Sequence, residues 1–283
     1  MYRTLISADE LMALPADDVV IVDCRFKLAD PDWGHTAYAA GHLPGAHYLN
    51  LDYHLSGAKT GQNGRHPLPD AERLAVSLGA LGVAPDTQIV AYDDAGGMFA
   101  ARLWWLARWL GHEAVAVLDG GIPAWQTAGG DLSAEEAKAA RLPSRFVIRA
   151  SLAPTADAAA VLANLDAPRF AVVDARAADR FRGENETMDP VGGHIPGALN
   201  RPFALNLDAE GHFKLPGVLA ADWQAVLGGR PATDIVHQCG SGVTACHNLL
   251  AMEHAGLAGS RLYPGSWSEW CADPARPVAT GDA

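Results

Sequence analysis

The sequence predicts an α/β protein of two similar domains, each a mostly parallel sheet flanked by helices. Two observations predict it. Short continuous apolar runs alternate with longer helical stretches, the order that builds parallel sheets. Four sequence markers also occur twice, in the same order, at offsets near 150 residues. Val20-Ile21-Val22-Asp23-Cys24-Arg25 returns as Ala171-Val172-Val173-Asp174-Ala175-Arg176, and Gly41-His42-Leu43-Pro44-Gly45-Ala46 as Gly193-His194-Ile195-Pro196-Gly197-Ala198. Ile89-Val90-Ala91-Tyr92-Asp93 returns as Ile235-Val236-His237-Gln238-Cys239, and Leu118-Asp119-Gly120-Gly121 with Trp125 as Tyr263-Pro264-Gly265-Ser266 with Trp270. A repeat of domain length divides the chain into a first domain over 1–135, a connection over 136–155 and a second domain over 156–283.

The elements follow in order. Val19–Asp23 is a short apolar run and reads as a buried strand. A helix is expected over Ala71–Leu81, started by Pro69-Asp70 and stopped by Gly82. Gln88–Tyr92 is a second strand, Gly97–Leu110 a helix ended by Gly111, and Ala114–Leu118 a third strand. The stretch from Gly129 to Thr155 is rich in Ala, Gly, Ser, Pro and charge; it reads as the connection, helical around Ala134–Ala140 and extended near Phe146–Ala150. The second copy repeats the pattern, with strands at 170–174, 234–238 and about 260–263, and a helix over Thr244–His254. Trp104, Trp105 and Trp109 have mostly helical spacing and read as core or interface.

Composition narrows the function. With 283 residues, 49% hydrophobic and 19% charged, a packed globular protein is expected. A net charge of −12 argues against a nucleic-acid or anionic-membrane surface. The four cysteines are too few and too scattered for a disulfide framework, and no C-x-x-C pair suggests structural zinc. No run of about 18 apolar residues suggests a membrane span. Met1 to Leu14 carries Asp9 and Glu10 within its apolar run, unlike a signal peptide. A reducing cytoplasm fits these features.

Chemistry concentrates at Cys239-Gly240-Ser241-Gly242-Val243-Thr244-Ala245, between the strand ending at Gln238 and the helix from Thr244. In parallel sheets the site lies beyond the carboxyl ends of the strands. The N–H groups of such a turn converge on an anion, and the following helix adds its positive end. Both favour thiolate over thiol, and the thiolate is the nucleophile. The first copy has Asp93 at this position, so only the second copy has a thiol there. A cysteine phosphatase would need an arginine at the far end of the loop; Ala245 stands there.

Together the V-D-x-R strand ends, the paired G-H-[LI]-P-G-A turns, the Cys239 loop and Gly265-Ser266-Trp267-Ser268-Glu269-Trp270 resemble the rhodanese family of sulfurtransferases in its tandem form. The resemblance implies a ping-pong reaction with Cys239 as nucleophile and persulfide carrier. The loop residues Gly240, Gly242, Val243 and Thr244 would hold the persulfide through their amides. It implies no cofactor, a small-molecule sulfur donor, and a thiol acceptor such as a small thiol or a thioredoxin-like protein.

The loop is similar to the 3-mercaptopyruvate type, since loops of the thiosulfate type carry basic residues after the cysteine and none is here. Ser241 reads either as a donor to the substrate carbonyl or as a small turn residue. The resemblance implies that Asp52 and His66, both within the first copy, assist Ser241; a loop cap and a surface histidine are the alternatives. Arg180 matches the family's substrate arginine. A second arginine is expected several residues later, but the chain reads Glu184-Asn185-Glu186-Thr187-Met188-Asp189-Pro190. Arg182 and Arg201 are the candidates to replace it. Arg176 reads as structural, His42 and His194 as turn caps, and Cys24, Cys246 and Cys271 as packing residues. The competing readings are a thiosulfate sulfurtransferase and a non-catalytic or redox-sensing module on the same scaffold.

Overall fold

The computed structural model describes residues 1–135 and 143–282. The chain forms two compact units: Met1–Gly57 with Leu68–Leu152 and Ala209–Phe213, and Ala58–Pro67 with Ala153–Asp208 and Lys214–Ala283. Each is thus built mainly from one copy of the repeat, with a short segment taken from the other. Residues 58–67, which precede helix 71–80 in the first copy, belong to the second unit.

The first unit runs β1 (Leu5–Ile6), α1 (Ala8–Met12), β2 (Val19–Asp23), α2 (Trp33–Ala40), β3 (His47–Tyr48), α3 (Ala71–Ala80), β4 (Gln88–Tyr92), α4 (Ala100–Trp109), β5 (Val115–Leu118) and α5 (Gly121–Thr127). Its sheet has the order β1-β5-β4-β2-β3 with every pair parallel. The β4 strand is buried at all five positions, as a central parallel strand must be when helices cover both faces. Ile6, Leu43, Val90, Tyr92, Leu118 and Trp125 form the core beside the sheet. Helix α3 is capped by Asp70, whose carboxylate accepts the Arg73 N–H at 2.9 Å.

The second unit runs α6 (Ala158–Asp166), β6 (Ala171–Asp174), α7 (Ala178–Arg182), β7 (Leu199–Asn200), α8 (Pro216–Leu227), β8 (Ile235–Gln238), α9 (Thr244–His254), β9 (Arg261–Leu262) and α10 (Ser266–Trp270). Its sheet is also parallel, in the order β7-β6-β8-β9. The core includes Val161, Val172, Val236, Tyr263, Trp267 and Trp270.

The strands fall within a residue or two of their expected places, and one helix does not. The α4 helix starts at Ala100, three residues later than its apolar pattern suggests. The cause is Asp93. Its buried carboxylate accepts N–H bonds from Ala95 and Gly97 on one oxygen and from Phe99 and Ala100 on the other, at 2.7–2.9 Å. Those bonds wrap residues 95–99 around the side chain as a loop. Trp104 and Trp105 are buried, and so is nearly all of α4, its two arginines Arg102 and Arg108 included. The expected helix around Ala134–Ala140 falls, from residue 136 on, outside the described residues; Ala134 and Glu135 are not helical. Phe146–Ala150 has no regular structure, and Phe146 packs against His112.

Burial raises the Asp93 carboxyl pKa, and the four N–H donors oppose the rise. Asp93→Ala would leave those donors buried without an acceptor, at about 1–3 kcal/mol each for any that water cannot reach. The expected outcome in urea unfolding is a loss of at least ~3 kcal/mol; a loss under ~1 kcal/mol would mean the loop simply opens to water.

Candidate functional site

Strands β6 and β8 end side by side, with Asp174 opposite Gln238. Asp174 is fully buried and holds Arg176 through its Nε and Nη2, the latter at 2.7 Å. Gln238 Nε2 also donates to Asp174 Oδ2. Arg176 then donates to the Gly193 carbonyl at 2.7 Å and lies over the Trp267 ring, 4.7 Å from its centroid. The first unit has the same device: Arg25 joins Asp23 to the Gly41 carbonyl, and Tyr92 OH donates to Asp23. The V-D-x-R and G-H-x-P-G-A motifs are therefore two ends of one connection. His42 and His194 complete it. Each has Nδ1 on a carbonyl (Tyr38 at 2.7 Å, Phe181 at 2.9 Å) and its ring stacked on that same residue.

Cys239 leaves β8 into the loop ahead of α9 and is 2% exposed. Its backbone is held on both sides. The Cys239 N–H donates to Ser266 Oγ at 3.1 Å, and its carbonyl accepts the Trp267 N–H at 2.9 Å. The Gly240 carbonyl accepts the Ser268 N–H at 2.9 Å. Gly242 has φ +77°, and a Cβ there would lie 2.3 Å from the Pro264 carbonyl oxygen, so no other residue fits. Val243 caps α9, and Thr244 is its first residue, so the helix N-terminus faces back along the loop. Cys246 lies inside α9, fully buried, with its thiol on the Gly242 carbonyl. Cys24 is fully buried and its pKa is raised by desolvation; burial also pushes Cys271 up to about 11.

The segment 64–66 runs along this loop. Arg65 N–H donates to Ser268 Oγ at 3.0 Å, and His66 Nδ1 is 2.7 Å from Ser241 Oγ. His66 is 3% exposed and is thus no surface histidine. Although it stands in the first copy by position, it belongs to the unit that carries Cys239. Asp52 belongs to the other unit, in the turn after β3, where its N–H donates to Asn50 Oδ1 at 2.8 Å.

Arg180, on the short helix α7, is held by Glu186: its Nε and Nη2 donate to the two carboxylate oxygens at 2.8–3.1 Å. Glu186 is itself fixed by the N–H groups of Met188 and Asp189. Arg180 lowers the Glu186 pKa against the opposing effect of burial. The Arg180 guanidinium reaches the loop, with Nη1 3.8 Å from where a Cβ on Gly240 would sit. Arg65 comes closer still, its Nη2 at 2.8 Å from that point, while its Nη1 pairs with Asp189.

Two expected arginines do not join this cluster. Arg182 is two positions from Arg180, so it points to a different side of the helix. It pairs with Glu184 at 2.7 Å and lines a separate cavity of about 370 Å³ with Phe181, Leu199 and Val226. Arg201 is buried over the Trp223 ring and pairs with Asp222 at 3.3 Å. Sequence reading placed Gly265-Ser266-Trp267 at the pocket mouth but missed the hold of Ser266 on Cys239, and it missed Arg65, Glu186 and Asp189. Adjacency to His66 was the only clue to Arg65, and comparison of the two copies was the clue to Ser266, which stands where the first copy has Gly121. Among the described residues no group of three or more His, Cys, Asp or Glu is placed to hold a metal ion. No helix of the described residues is long and apolar enough to cross a membrane.

Comparison with known proteins agrees with this geometry. The rhodanese-like domain profile matches residues 7–128 and 157–273. A Pseudomonas aeruginosa protein named "Probable 3-mercaptopyruvate sulfurtransferase" is 48% identical over 281 residues, covering 98% of both chains. The Bos taurus thiosulfate sulfurtransferase is 35% identical, covering 95% of this chain and 92% of its own. The crystal structure of the Escherichia coli 3-mercaptopyruvate sulfotransferase SseA superposes with a TM-score of 0.78 at 32% identity, covering 94% of this chain and 99% of its own.

Ser266 offers a test of how the Cys239 backbone is held. It is the only non-glycine residue with positive φ (+54°) among the described residues, and Gly121 has φ +59° at the matching place. The left-handed conformation costs a non-glycine residue about 1–2 kcal/mol. Here the Ser266 hydroxyl offsets that cost by accepting from Cys239 N–H and donating to the Tyr263 carbonyl at 2.9 Å. Ser266→Ala keeps the strain and loses both bonds, whereas Ser266→Gly loses only the bonds. Denaturant unfolding is expected to show the alanine variant less stable than the glycine variant by ~1 kcal/mol; equal stabilities would mean the hydroxyl is not what holds this turn.

Proposed function

The chain belongs to the rhodanese-like family, and on that premise we propose that it is a sulfurtransferase that takes sulfur from 3-mercaptopyruvate by way of a persulfide on Cys239. The observation that carries this reading is the contact of 2.7 Å between Ser241 and His66 beside Cys239, in a loop that has no basic residue of its own. A mercaptopyruvate donor presents a carbonyl for a hydroxyl to polarise; thiosulfate has none.

In the proposed reaction the Cys239 thiolate attacks the donor sulfur. An S–S bond forms, the C–S bond breaks, and its electron pair passes into the enolate of pyruvate, which takes up a proton. Ser241, oriented by His66, donates to the developing enolate oxygen, where a hydrogen bond gains most as charge builds. Arg180 binds the donor carboxylate. The loop amides and the start of α9 surround the persulfide. An acceptor thiolate, or cyanide in the assay, then attacks the outer sulfur and releases the Cys239 thiolate. The physiological acceptor is a small thiol or a thioredoxin-like protein. A reducing cytoplasm suits a chain whose four cysteines are all free. Thiosulfate is the alternative donor, favoured by the arginines beside Gly240 and by the similarity to the bovine enzyme.

Cys239→Ser is expected to abolish sulfur transfer while leaving the unfolding curve nearly unchanged, and retained turnover would overturn the mechanism. Side-by-side kcat/KM values with cyanide as acceptor are expected to favour 3-mercaptopyruvate over thiosulfate. Ser241→Ala should lower kcat for 3-mercaptopyruvate by ~10²-fold, the scale of a lost oxyanion donor. A preference for thiosulfate with Ser241→Ala unaffected would assign the site to the alternative donor.

A further inference from the structure

We propose that Arg65 is the second cation of the donor-binding site and acts with Arg180 on the donor's carboxylate; the inference rests on the sulfurtransferase reading above. Each arginine has spent part of its guanidinium on a protein carboxylate. Arg180 gives Nε and Nη2 to Glu186, and Arg65 gives Nη1 to Asp189 while its Nε is buried. The nitrogens left for a ligand are Nη1 of Arg180 and Nη2 of Arg65. Both approach the same point, the face of Gly240 where a side chain would begin, at 3.8 and 2.8 Å. A carboxylate lying over Gly240 would meet one N–H donor for each oxygen.

Two further features support this placement. Arg65 is only a quarter exposed, and its backbone N–H is pinned to Ser268, so the guanidinium is held at the loop. The next residue, His66, meets Ser241, so consecutive residues of one segment address consecutive residues of the loop. The clamp is therefore supplied from outside the segment 184–190, where Asp189 stands instead of a cation.

Charge balance then bears on the donor. Arg65, Arg176 and Arg180 are matched by Asp174, Glu186 and Asp189. A cluster with no surplus positive charge suits a monoanion better than a dianion. Asp189 becomes a selectivity residue that sets how much of Arg65 the donor sees.

The test is steady-state kinetics with 3-mercaptopyruvate and cyanide on Arg65→Gln, Arg65→Lys and Asp189→Asn, with thermal unfolding as a check on folding. Arg65→Gln is expected to raise KM about tenfold with kcat within ~3-fold of the parent. Arg65→Lys, which keeps the charge, should fall between the two. Asp189→Asn breaks the same ion pair but frees Arg65, so KM should stay level or fall, and the ratio of thiosulfate to mercaptopyruvate turnover should rise. The proposal is overturned if Arg65→Gln leaves KM within twofold, if it lowers kcat alone, or if Arg65→Gln and Asp189→Asn raise KM equally, since equal effects mean that the ion pair only holds the segment. Should Arg65→Gln not fold, the lysine variant and Asp189→Asn decide between the same outcomes. Absence of turnover with both mercaptopyruvate and thiosulfate in the parent, or turnover by Cys239→Ser, would instead sink the sulfurtransferase reading.

Discussion

Much of each unit depends on one buried ion pair. In the second unit Asp174 sits at the end of a strand with no water to solvate it, so its charge is tolerable only if an opposite charge and hydrogen bonds meet it there. Arg176 supplies both, and its fixed fork spreads the connection outward. It reaches the Gly193 carbonyl that opens the next turn, the Glu186 carboxylate at 3.4 Å that holds Arg180, and the Trp267 ring in the first turn of α10. Strand end, turn, Arg180 and the wall beside Cys239 are all referred to this one pair. The first unit keeps the pair between Asp23 and Arg25, including the link to Gly41.

The two copies show what such a frame can do with a single change of residue. Both place a loop at the end of a central strand, ahead of a helix. In the first unit the loop encloses its own anion: Asp93 takes four N–H bonds and fills the space. In the second, Cys239 stands at the same strand end, and its side chain makes none of those contacts. A cradle that closes on a carboxylate is a structural element; the corresponding turn around a thiol is available to hold sulfur that comes and goes.

The surroundings of Cys239 are also a lesson in how arginines are kept usable. A chain with net charge −12 repels anionic donors at long range. Locally, three arginines near the loop are each fixed by a carboxylate, which costs positive charge but removes the entropy of holding a long side chain in place. Glu186 does this for Arg180 and is in turn fixed by two backbone N–H groups. The result is preorganisation of donors where a small anionic substrate is read most sharply.

The sequence by itself determined the two-copy α/β architecture, because a buried parallel strand must be a short apolar run and both copies spell it in the same order. It also determined which copy carries a thiol, since Cys239 and Asp93 occupy equivalent strand ends, and it offered Ser241, His66 and Arg180 as candidates. Tertiary structure alone decided the rest. Ion pairing is a matter of ångströms, not of sequence distance: Arg182 and Arg201 lie close to Arg180 or its strand in sequence but point to Glu184 and Asp222, whereas Arg65, more than a hundred residues away, reaches the loop. The start of α4 was hidden because the apolar pattern cannot register four N–H bonds that prefer a side-chain carboxylate to the helix. The hold of Ser266 on Cys239 was hidden because its left-handed backbone is stabilised in part by the Cys239 N–H, on another segment, which only the folded chain brings to it.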